Sequence, residues 1–169
     1  MSEEIQLPDS WKVVPLAIAA SINPQKVRNL TSASQSAHFV PMACVRENFG
    51  GIDVSTIRPL SEVAKGYTAF QERDVLFAKI TPCMENGKIA VVPPLEHGIG
   101  FGSTEFHVIR ATEVTTPSWI AHFLSQKSKR RNAQRSMTGS AGQLRVPALW
   151  LHEQQLPLPP LNEQRRIVS

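Results

Sequence analysis

The chain has 169 residues, of which 41% are hydrophobic, and a formal net charge of +4 at pH 7. This length suits one compact domain, and the hydrophobic fraction is near that of globular proteins, which argues against a disordered chain. No run of about 18 consecutive apolar residues occurs, so the sequence contains no predicted membrane-spanning helix.

The N-terminal half is predicted to form short, mainly extended elements. Residues 11–16 are predicted to form a strand, and residues 17–22 a short helix that ends before Pro24. The apolar segment 38–45 predicts a buried strand with an irregularity at Pro41.

The middle of the chain predicts two antiparallel strands joined by a loop. Residues 74–80 and 89–93 are β-branched or apolar, and Asn86-Gly87 between them is a strong turn signal. Residues 98–102 predict flexible glycine-rich backbone. Residues 104–110 alternate polar and apolar side chains, which predicts a half-buried strand.

One long helix is predicted over residues 117–136, with Thr116 as its cap and Pro117 in its first turn. After a glycine-rich loop, residues 143–146 are predicted to be extended and residues 152–158 to form a last strand. Residues 161–169 begin a helix that is too short to be stable alone in water. We therefore expect either a partner for this helix or a chain cut from a longer one.

The basic residues are concentrated in one stretch. Residues 114–152 contain no Asp or Glu but six Lys and Arg residues, whereas the rest of the chain carries 12 basic and 14 acidic residues. Within this stretch Lys127, Arg131 and Arg135 follow one another at intervals of four and continue the line of Phe123 on the predicted helix. Such a stripe favours contact with nucleic-acid phosphates, although a solvated helix face has the same pattern.

The sequence offers no catalytic or metal-binding motif. Cys44 and Cys83 form no paired-ligand spacing, so we expect reduced thiols, and the five histidines form no helical pair, so we expect no bound metal. The segment from Gly98 to Gly102 is a weak match to a dinucleotide loop, and Glu85 to Lys88 has one residue too many for a nuclease motif. These absences predict a binding module that is not an enzyme.

Four segments resemble the target recognition domains of type I restriction–modification specificity subunits. Residues 74–88, DVLFAKITPCMENGK, are similar to the family's hallmark strand–loop–strand. Residues 137–146, MTGSAGQLRV, resemble the glycine-rich loop and arginine that follow its long helix. Residues 156–168, LPLPPLNEQRRIV, resemble the proline-rich segment that leads into the family's spacer helix. Residues 7–12, LPDSWK, resemble the start of such a domain.

The resemblance implies an α+β fold with mixed or antiparallel strands and one long helix. It implies a target recognition domain over residues 1–158 and the start of a truncated spacer helix over residues 159–169. It also implies double-stranded DNA as a partner, with one half of a bipartite site recognised by this domain. Methyltransferase and restriction subunits are the implied protein partners, and they would carry S-adenosylmethionine, ATP and Mg²⁺, while this chain would bind no cofactor.

The N-terminal residues MSEE lack the features of a signal peptide, so we expect a cytoplasmic protein.

Eight residues are predicted to contact DNA: Lys79, Lys88, Arg130, Arg131, Arg135, Ser140, Gln143 and Arg145. Arg131 and Arg135 lie one turn apart and suit consecutive phosphates, whereas Arg130 lies about 100° away on the helix. Gln and Arg are the side chains that form bidentate contacts with adenine and guanine edges. Packing within the loop is the alternative for Gln143. Three residues are expected to begin the apolar seam of the spacer helix: Leu161, Ile167 and Val168.

Two alternatives remain open at this stage. The chain could be an assembly adaptor that associates with itself or with methyltransferase subunits through the terminal helix and contacts DNA only incidentally. It could also be the recognition fragment of a fused restriction–methylation enzyme. The bases that are recognised do not follow from the sequence, because loop geometry and DNA deformability contribute to that choice.

Overall fold

A computed structural model describes residues 6–25 and 35–169, in which ten strands and six α-helices occur. The strands are β1 (Lys12–Pro15), β2 (Ala20–Ile22), β3 (Ser36–Val40), β4 (Ile57–Pro59), β5 (Thr68–Gln71), β6 (Val75–Ala78), β7 (Ile89–Val91), β8 (Ile99–Gly102), β9 (Phe106–Ala111) and β10 (Gln155–Leu158). The helices are α1 (Leu16–Ala19), α2 (Leu60–Val63), α3 (Pro117–Ser125), α4 (Lys127–Ser136), α5 (Ala148–Glu153) and α6 (Leu161–Ile167).

The strands form two four-stranded sheets and one two-stranded ribbon. The central sheet has the order β2-β9-β6-β7 and is antiparallel throughout. The second sheet has the order β4-β3-β8-β5, in which β3 and β8 run parallel and the other pairs antiparallel. The ribbon pairs β1 with β10. The predicted α+β class with mixed and antiparallel strands is confirmed.

The central sheet is covered on both faces. In β6, Val75 and Phe77 pack with α1, α3 and α5, whereas Leu76 packs with the second sheet. In β9, Phe106 and its next three residues are all buried. The prediction of a half-buried strand here is therefore wrong, because the core formed with α1, α3 and α5 covers the face with His107 and Ile109, which the polar–apolar alternation assigned to solvent.

The predicted pairing in the middle of the chain is confirmed. Strands β6 and β7 are antiparallel, with Val75 opposite Val91 and Phe77 opposite Ile89. The connection between them, residues 79–88, is a long structured loop that is described with the candidate site below.

Residues 98–102 do not form the expected flexible backbone. Ile99–Gly102 is β8, an inner strand of the second sheet. A Cβ atom on Gly100 would lie 2.5 Å from the Phe70 ring, and one on Gly102 would lie 2.4 Å from the Val40 carbonyl oxygen. The glycines are thus explained by close packing inside a sheet and not by mobility.

The single long helix predicted over residues 117–136 is wrong, because the structure has two helices that are separated at Gln126. Thr116 caps α3 as predicted, since its hydroxyl accepts a hydrogen bond from the Trp119 amide at 3.1 Å. Gln126 has an extended conformation, with φ −58° and ψ 138°. The change of direction buries Ala133 and brings the Asn132 side chain within 2.8 Å of the Trp150 indole nitrogen. Tertiary contacts thus outweigh local helix propensity at this point.

Two other boundaries differ from the prediction. The strand expected over residues 38–45 ends at Val40, and a single 3₁₀ turn, Met42–Cys44, follows Pro41. The final strand is shorter than residues 152–158, because α5 occupies Ala148–Glu153 and its Trp150 and Leu151 are buried in the core.

A buried histidine connects the central sheet to the segment that ends at Val146. The Asn23 side-chain oxygen accepts the Val108 amide at 2.9 Å, so the Asn23 nitrogen faces His107 and donates to Nδ1 at 3.0 Å. The other ring nitrogen, Nε2, donates to the Val146 carbonyl at 2.7 Å. Both contacts are satisfied only by the neutral Nε2–H tautomer of His107.

The terminal helix is attached to the body by a buried glutamine. The Gln164 side-chain oxygen accepts hydrogen bonds from the Thr115 hydroxyl and the Thr116 amide, at 3.0 and 3.1 Å. Its nitrogen donates to the carbonyls of Val114 and Pro159, at 3.1 and 2.8 Å. Helix α6 therefore packs beside the N-terminus of α3. The helices in the described part of the chain lack the combined length and hydrophobicity of a transmembrane span.

We predict that His107 makes the stability of the fold depend on pH. Burial lowers the pKa of His107 below its usual value of 6.5. The unfolded chain therefore binds a proton at this group more readily than the folded chain. The contribution of His107 to the free energy of unfolding is consequently full above about pH 6.5, and it falls as the pH decreases toward the lowered pKa. Urea unfolding at pH 7.5 and 5.5 should show a decrease of at most about 1.4 kcal/mol per pH unit from this group. The variant His107→Gln should lose that part of the pH dependence, whereas His152→Gln, at an exposed position, should keep it. Equal pH dependence in His107→Gln and the parent would contradict this role.

The variant Gln164→Leu should lower the free energy of unfolding by about 2–3 kcal/mol, because it leaves four hydrogen-bonding groups of the body without their partner. The measurement is urea unfolding at pH 7.5. Gln155→Leu is the matched control, since the exposed Gln155 side chain hydrogen-bonds only the Glu153 carbonyl among the described residues. Its effect should stay within about 0.5 kcal/mol. Similar losses in both variants would show that Gln164 has no special role.

Candidate nucleic-acid interface

The loop of residues 79–88 is held in one conformation by internal contacts. The Thr81 hydroxyl donates to the Glu85 carboxylate at 2.7 Å, and the Gly87 amide donates to the Met84 carbonyl at 2.9 Å. Met84 is buried in the main core, which anchors the middle of the loop to the body. The loop is therefore a rigid platform against which neighbouring segments pack.

The segment of residues 138–146 packs on this platform through its main chain. The Thr81 amide donates to the Leu144 carbonyl at 2.9 Å, and the Val146 amide donates to the Lys79 carbonyl at 2.8 Å. Thr138 and Arg145 exchange two backbone hydrogen bonds of 3.0 and 2.9 Å, so residues 138–145 form a tight hairpin. We call residues 139–143 the hairpin tip. Each of these five residues is exposed, including the predicted contacts Ser140 and Gln143.

Glycine permits the shape of this tip. Gly139 and Gly142 have φ angles of +123° and +77°, which other residues adopt only with strain. A Cβ atom on Gly139 would also lie 2.8 Å from the Gln143 carbonyl oxygen. The glycine-rich composition that the sequence analysis noted is thus required by the turn itself.

Arg145 forms a bidentate ion pair at the base of the hairpin. Its Nε and Nη2 atoms donate to the two carboxylate oxygens of Glu105 at 2.8 and 2.7 Å, and its Nη1 atom donates to the Gln143 carbonyl at 3.0 Å. The hydrogen bonds from Arg145 lower the pKa of Glu105, so the carboxylate stays charged. A bidentate guanine contact by Arg145 would require this pair to rearrange, and its DNA contact stays a prediction.

Arg130 holds α4 against the loop of residues 79–88. Its Nη1 atom donates to the Glu85 carbonyl at 2.9 Å, and the guanidinium lies so close to Gly87 that a Cβ atom there would be 2.6 Å from Nη1. These contacts give Arg130 a structural role that the sequence did not indicate. The loop and the start of α4 are consequently parts of one surface.

Arg131 and Arg135 lie on the opposite side of α4 from the core. The helix turns by about 100° per residue, so buried Ala133 lies about 200° from both arginines. Both side chains are exposed, and among the described residues neither guanidinium has a hydrogen-bond or ion-pair partner. Of the predicted contacts on this helix, these two present their full charge to solvent.

The two predicted lysines lie at the two ends of the loop of residues 79–88. Lys88 donates from Nζ to the Met42 carbonyl at 3.2 Å, which fastens the loop to the 3₁₀ turn. Lys79 is half-buried beside Glu105, and its own amide donates to the Glu105 carbonyl at 2.9 Å. The structure thus groups Lys79 with the base of the hairpin and Arg145, and it places Lys88 at the other end of the loop. Their DNA contacts stay predictions.

The predicted spacer-helix residues belong to a different surface. Ile167 and Val168 line an apolar groove of about 460 Å³ together with Trp11, Trp119 and Phe123. Leu161 is half-buried at the start of α6. The groove contains no residue of the hairpin tip or of the exposed face of α4, so any partner of the terminal helix would bind apart from those elements.

Sequence reasoning missed the residues that position the hairpin. Glu105 pairs with Arg145 across 40 positions in the sequence, and His107 contacts Val146 across 39. Asn23 lies where the sequence predicts only the end of a short helix before Pro24. Acidic and imidazole side chains within an apolar strand are a signal of such internal contacts, because they are rarely buried without partners. In the described part of the chain, no group of three His, Cys, Asp or Glu side chains is arranged to hold a metal ion.

The chain is similar over almost its whole length to proteins of one kind. No protein-family model matches it. It is 37% identical over 172 residues to the EcoAI type I restriction enzyme specificity subunit of Escherichia coli, an alignment that covers 99% of the chain and 29% of that protein. It is 39% identical over 171 residues to the EcoEI type I restriction enzyme specificity subunit, with 97% of the chain and 27% of that protein covered.

The fold is also found among solved structures. The HsdS subunit of Thermoanaerobacter tengcongensis superimposes with a TM-score of 0.77 and 27% identity, over 99% of this chain and 43% of that chain. A chain from a type I restriction–modification complex superimposes with a TM-score of 0.64 and 17% identity, which shows the fold alone. The chain spans less than a third of the curated relatives. The predicted resemblance to type I restriction specificity subunits is confirmed, because such subunits align with nearly the whole chain.

Proposed function

We propose that this chain binds double-stranded DNA in a sequence-specific manner, recognises one half of a bipartite site, and directs type I methyltransferase and restriction subunits to it. The observation that carries the proposal is the surface formed by the hairpin tip and the exposed face of α4. The hairpin exposes Ser140 and Gln143 on a rigid base. The loop that forms this base also contacts α4, whose Arg131 and Arg135 have no charge partner among the described residues. Specificity subunits of type I restriction enzymes are the relatives that match nearly the whole chain, which supports this function.

The charge of this surface suits a division between phosphate and base contacts. Lys127, Arg131 and Arg135 are exposed on α4 and suit phosphate oxygens, which provide most of the affinity but little sequence information. The hairpin tip carries one hydroxyl, on Ser140, and one side-chain amide, on Gln143, which suit the edges of base pairs. We infer that α4 positions the duplex and that the tip discriminates between sequences.

In the proposed function, this chain catalyses no reaction itself. In this proposal the methyltransferase subunits bind S-adenosylmethionine, the restriction subunits use ATP and Mg²⁺, and the whole assembly is cytoplasmic. The terminal helix, with Leu161, Ile167 and Val168, would begin the spacer that joins this domain to its partners. The apolar groove beside Ile167 and Val168 also gives self-association a possible location, and size-exclusion chromatography of the full chain at several concentrations would test it.

The double variant Arg131→Ala/Arg135→Ala should weaken binding to duplex DNA at low salt by about tenfold or more. The dependence of log K on log salt should become shallower by about 1.8, because each lost phosphate contact removes about 0.9 from the slope. The measurement is fluorescence anisotropy with a labelled duplex across a salt titration.

The matched control removes two positive charges from other surfaces. Lys12 and Arg165 are exposed, on β1 and α6 respectively, and Lys12→Ala/Arg165→Ala changes the net charge by the same amount. The control should retain the parent slope to within about 0.5. If both double variants titrate like the parent, the exposed face of α4 does not contact DNA, and if the parent binds no duplex at low salt the proposed function is wrong.

A further inference from the structure

A second concave surface lies directly beside the hairpin. A cleft of about 240 Å³ opens between the end of β2, the start of β5 and the segment around Lys79. Its lining includes Asn23, Tyr67, Thr68, Lys79, Thr104 and Phe106. Lys79 belongs to both regions, because its carbonyl accepts the Val146 amide at the base of the hairpin. The cleft therefore adjoins the base of the hairpin.

The rim of this cleft carries polar groups that the fold does not use. Tyr67 is 38% exposed, and its ring is fixed by an edge-to-face contact with Phe39 at 4.8 Å between centroids. Thr104 is exposed. Among the described residues, neither hydroxyl has a hydrogen-bond partner. Each is therefore available to donate to, or accept from, a ligand without the loss of an internal contact.

The charge at the cleft favours an anionic ligand with acceptor groups. Lys79 has no carboxylate within ion-pairing distance among the described residues, because the nearby Glu105 is held by Arg145 in a bidentate pair. The Asn23 side chain already hydrogen-bonds Val108 and His107, so it lines the cleft but is not assigned a contact with the ligand. What remains is one ammonium group, on Lys79, and the two hydroxyls of Tyr67 and Thr104. These groups suit the phosphates and base edges of a nucleic-acid strand.

We propose that this cleft is a second DNA-contact site, in which Tyr67 and Thr104 contact base edges and Lys79 contacts a phosphate of the same strand. The inference rests on the proposed function and adds to it, since it assigns base selection to two hydroxyls outside the basic stretch. The half-site then extends from the base pairs that face the hairpin tip to neighbouring base pairs that face the cleft.

The test uses the full chain and a duplex library with a randomised central segment. Selection and sequencing of bound duplexes give the base preference of the parent at each position. The double variant Tyr67→Phe/Thr104→Val removes only the two hydroxyls and keeps ring and side-chain volume. It should lose the preference at one or more positions at one end of the selected sequence, and bind the parent's selected duplex about tenfold more weakly with an unchanged salt slope. Ser61→Ala, which removes an exposed hydroxyl on α2, is the control and should select the parent sequence.

The outcomes separate this inference from the proposed function. Unchanged preferences and affinity in Tyr67→Phe/Thr104→Val, with the parent still binding DNA, overturn the cleft proposal alone. A parent that selects no sequence overturns both. Urea unfolding of the variant should match the parent, because both hydroxyls are outside the core. A third variant, Lys79→Gln, should make the salt slope shallower by about 0.9, and an unchanged slope contradicts the assigned phosphate contact.

Discussion

The structure depends on the backbone of Lys79, where three parts of the chain meet. Its amide donates to the Glu105 carbonyl at the start of β9, and its carbonyl accepts the amide of Val146. The central sheet is thereby extended by the hairpin of residues 138–146, although that hairpin follows β6 by some 60 positions in the sequence. Two side-chain contacts stabilise the same junction: Arg145 pairs with the Glu105 carboxylate, and His107 donates to the Val146 carbonyl. Without this junction the glycine-rich tip would have no fixed position relative to α4.

Internal contacts also determine which basic residues of the stretch 114–152 remain available to a ligand. Arg145 is neutralised by Glu105, and Arg130 is fixed to the Glu85 carbonyl. Lys129 lies over the Phe123 ring at 4.5 Å, and burial lowers the pKa of its ammonium group. The six positive charges counted in the sequence thus overstate the charge that reaches solvent on this surface. The unpaired charge is concentrated on one helix face, and the rest of the basic stretch serves the fold.

Local signals in the sequence predicted the local features of the fold. The apolar runs predicted β6 and β7 and their pairing, and Thr116 with Pro117 predicted the start of α3. The predictions failed where distant contacts decide. The separation of α3 from α4 at Gln126 depends on packing of Trp150 against the later helix, and the order of residues 98–102 depends on Phe70. For the candidate site, the sequence indicated the exposed arginines and the hairpin tip, but the pairing of Arg145 with Glu105 has no local signature because it joins residues 40 positions apart.

Under the proposed function, the way the hairpin is held explains how the domain can change its DNA-sequence preference without losing its fold. The contacts that fix residues 138–146 to the loop of residues 79–88 are mainly between backbone groups, which any residue except proline can supply. The exposed side chains of Ser140 and Gln143 make no hydrogen bond that the described structure requires. Substitution at the tip therefore alters the groups presented to a duplex while the base stays rigid, provided that Gly139 and Gly142 keep the turn. A rigid base beneath exchangeable contacts meets the geometric requirement for discrimination between bases, since a contact that can shift by an ångström loses its selectivity.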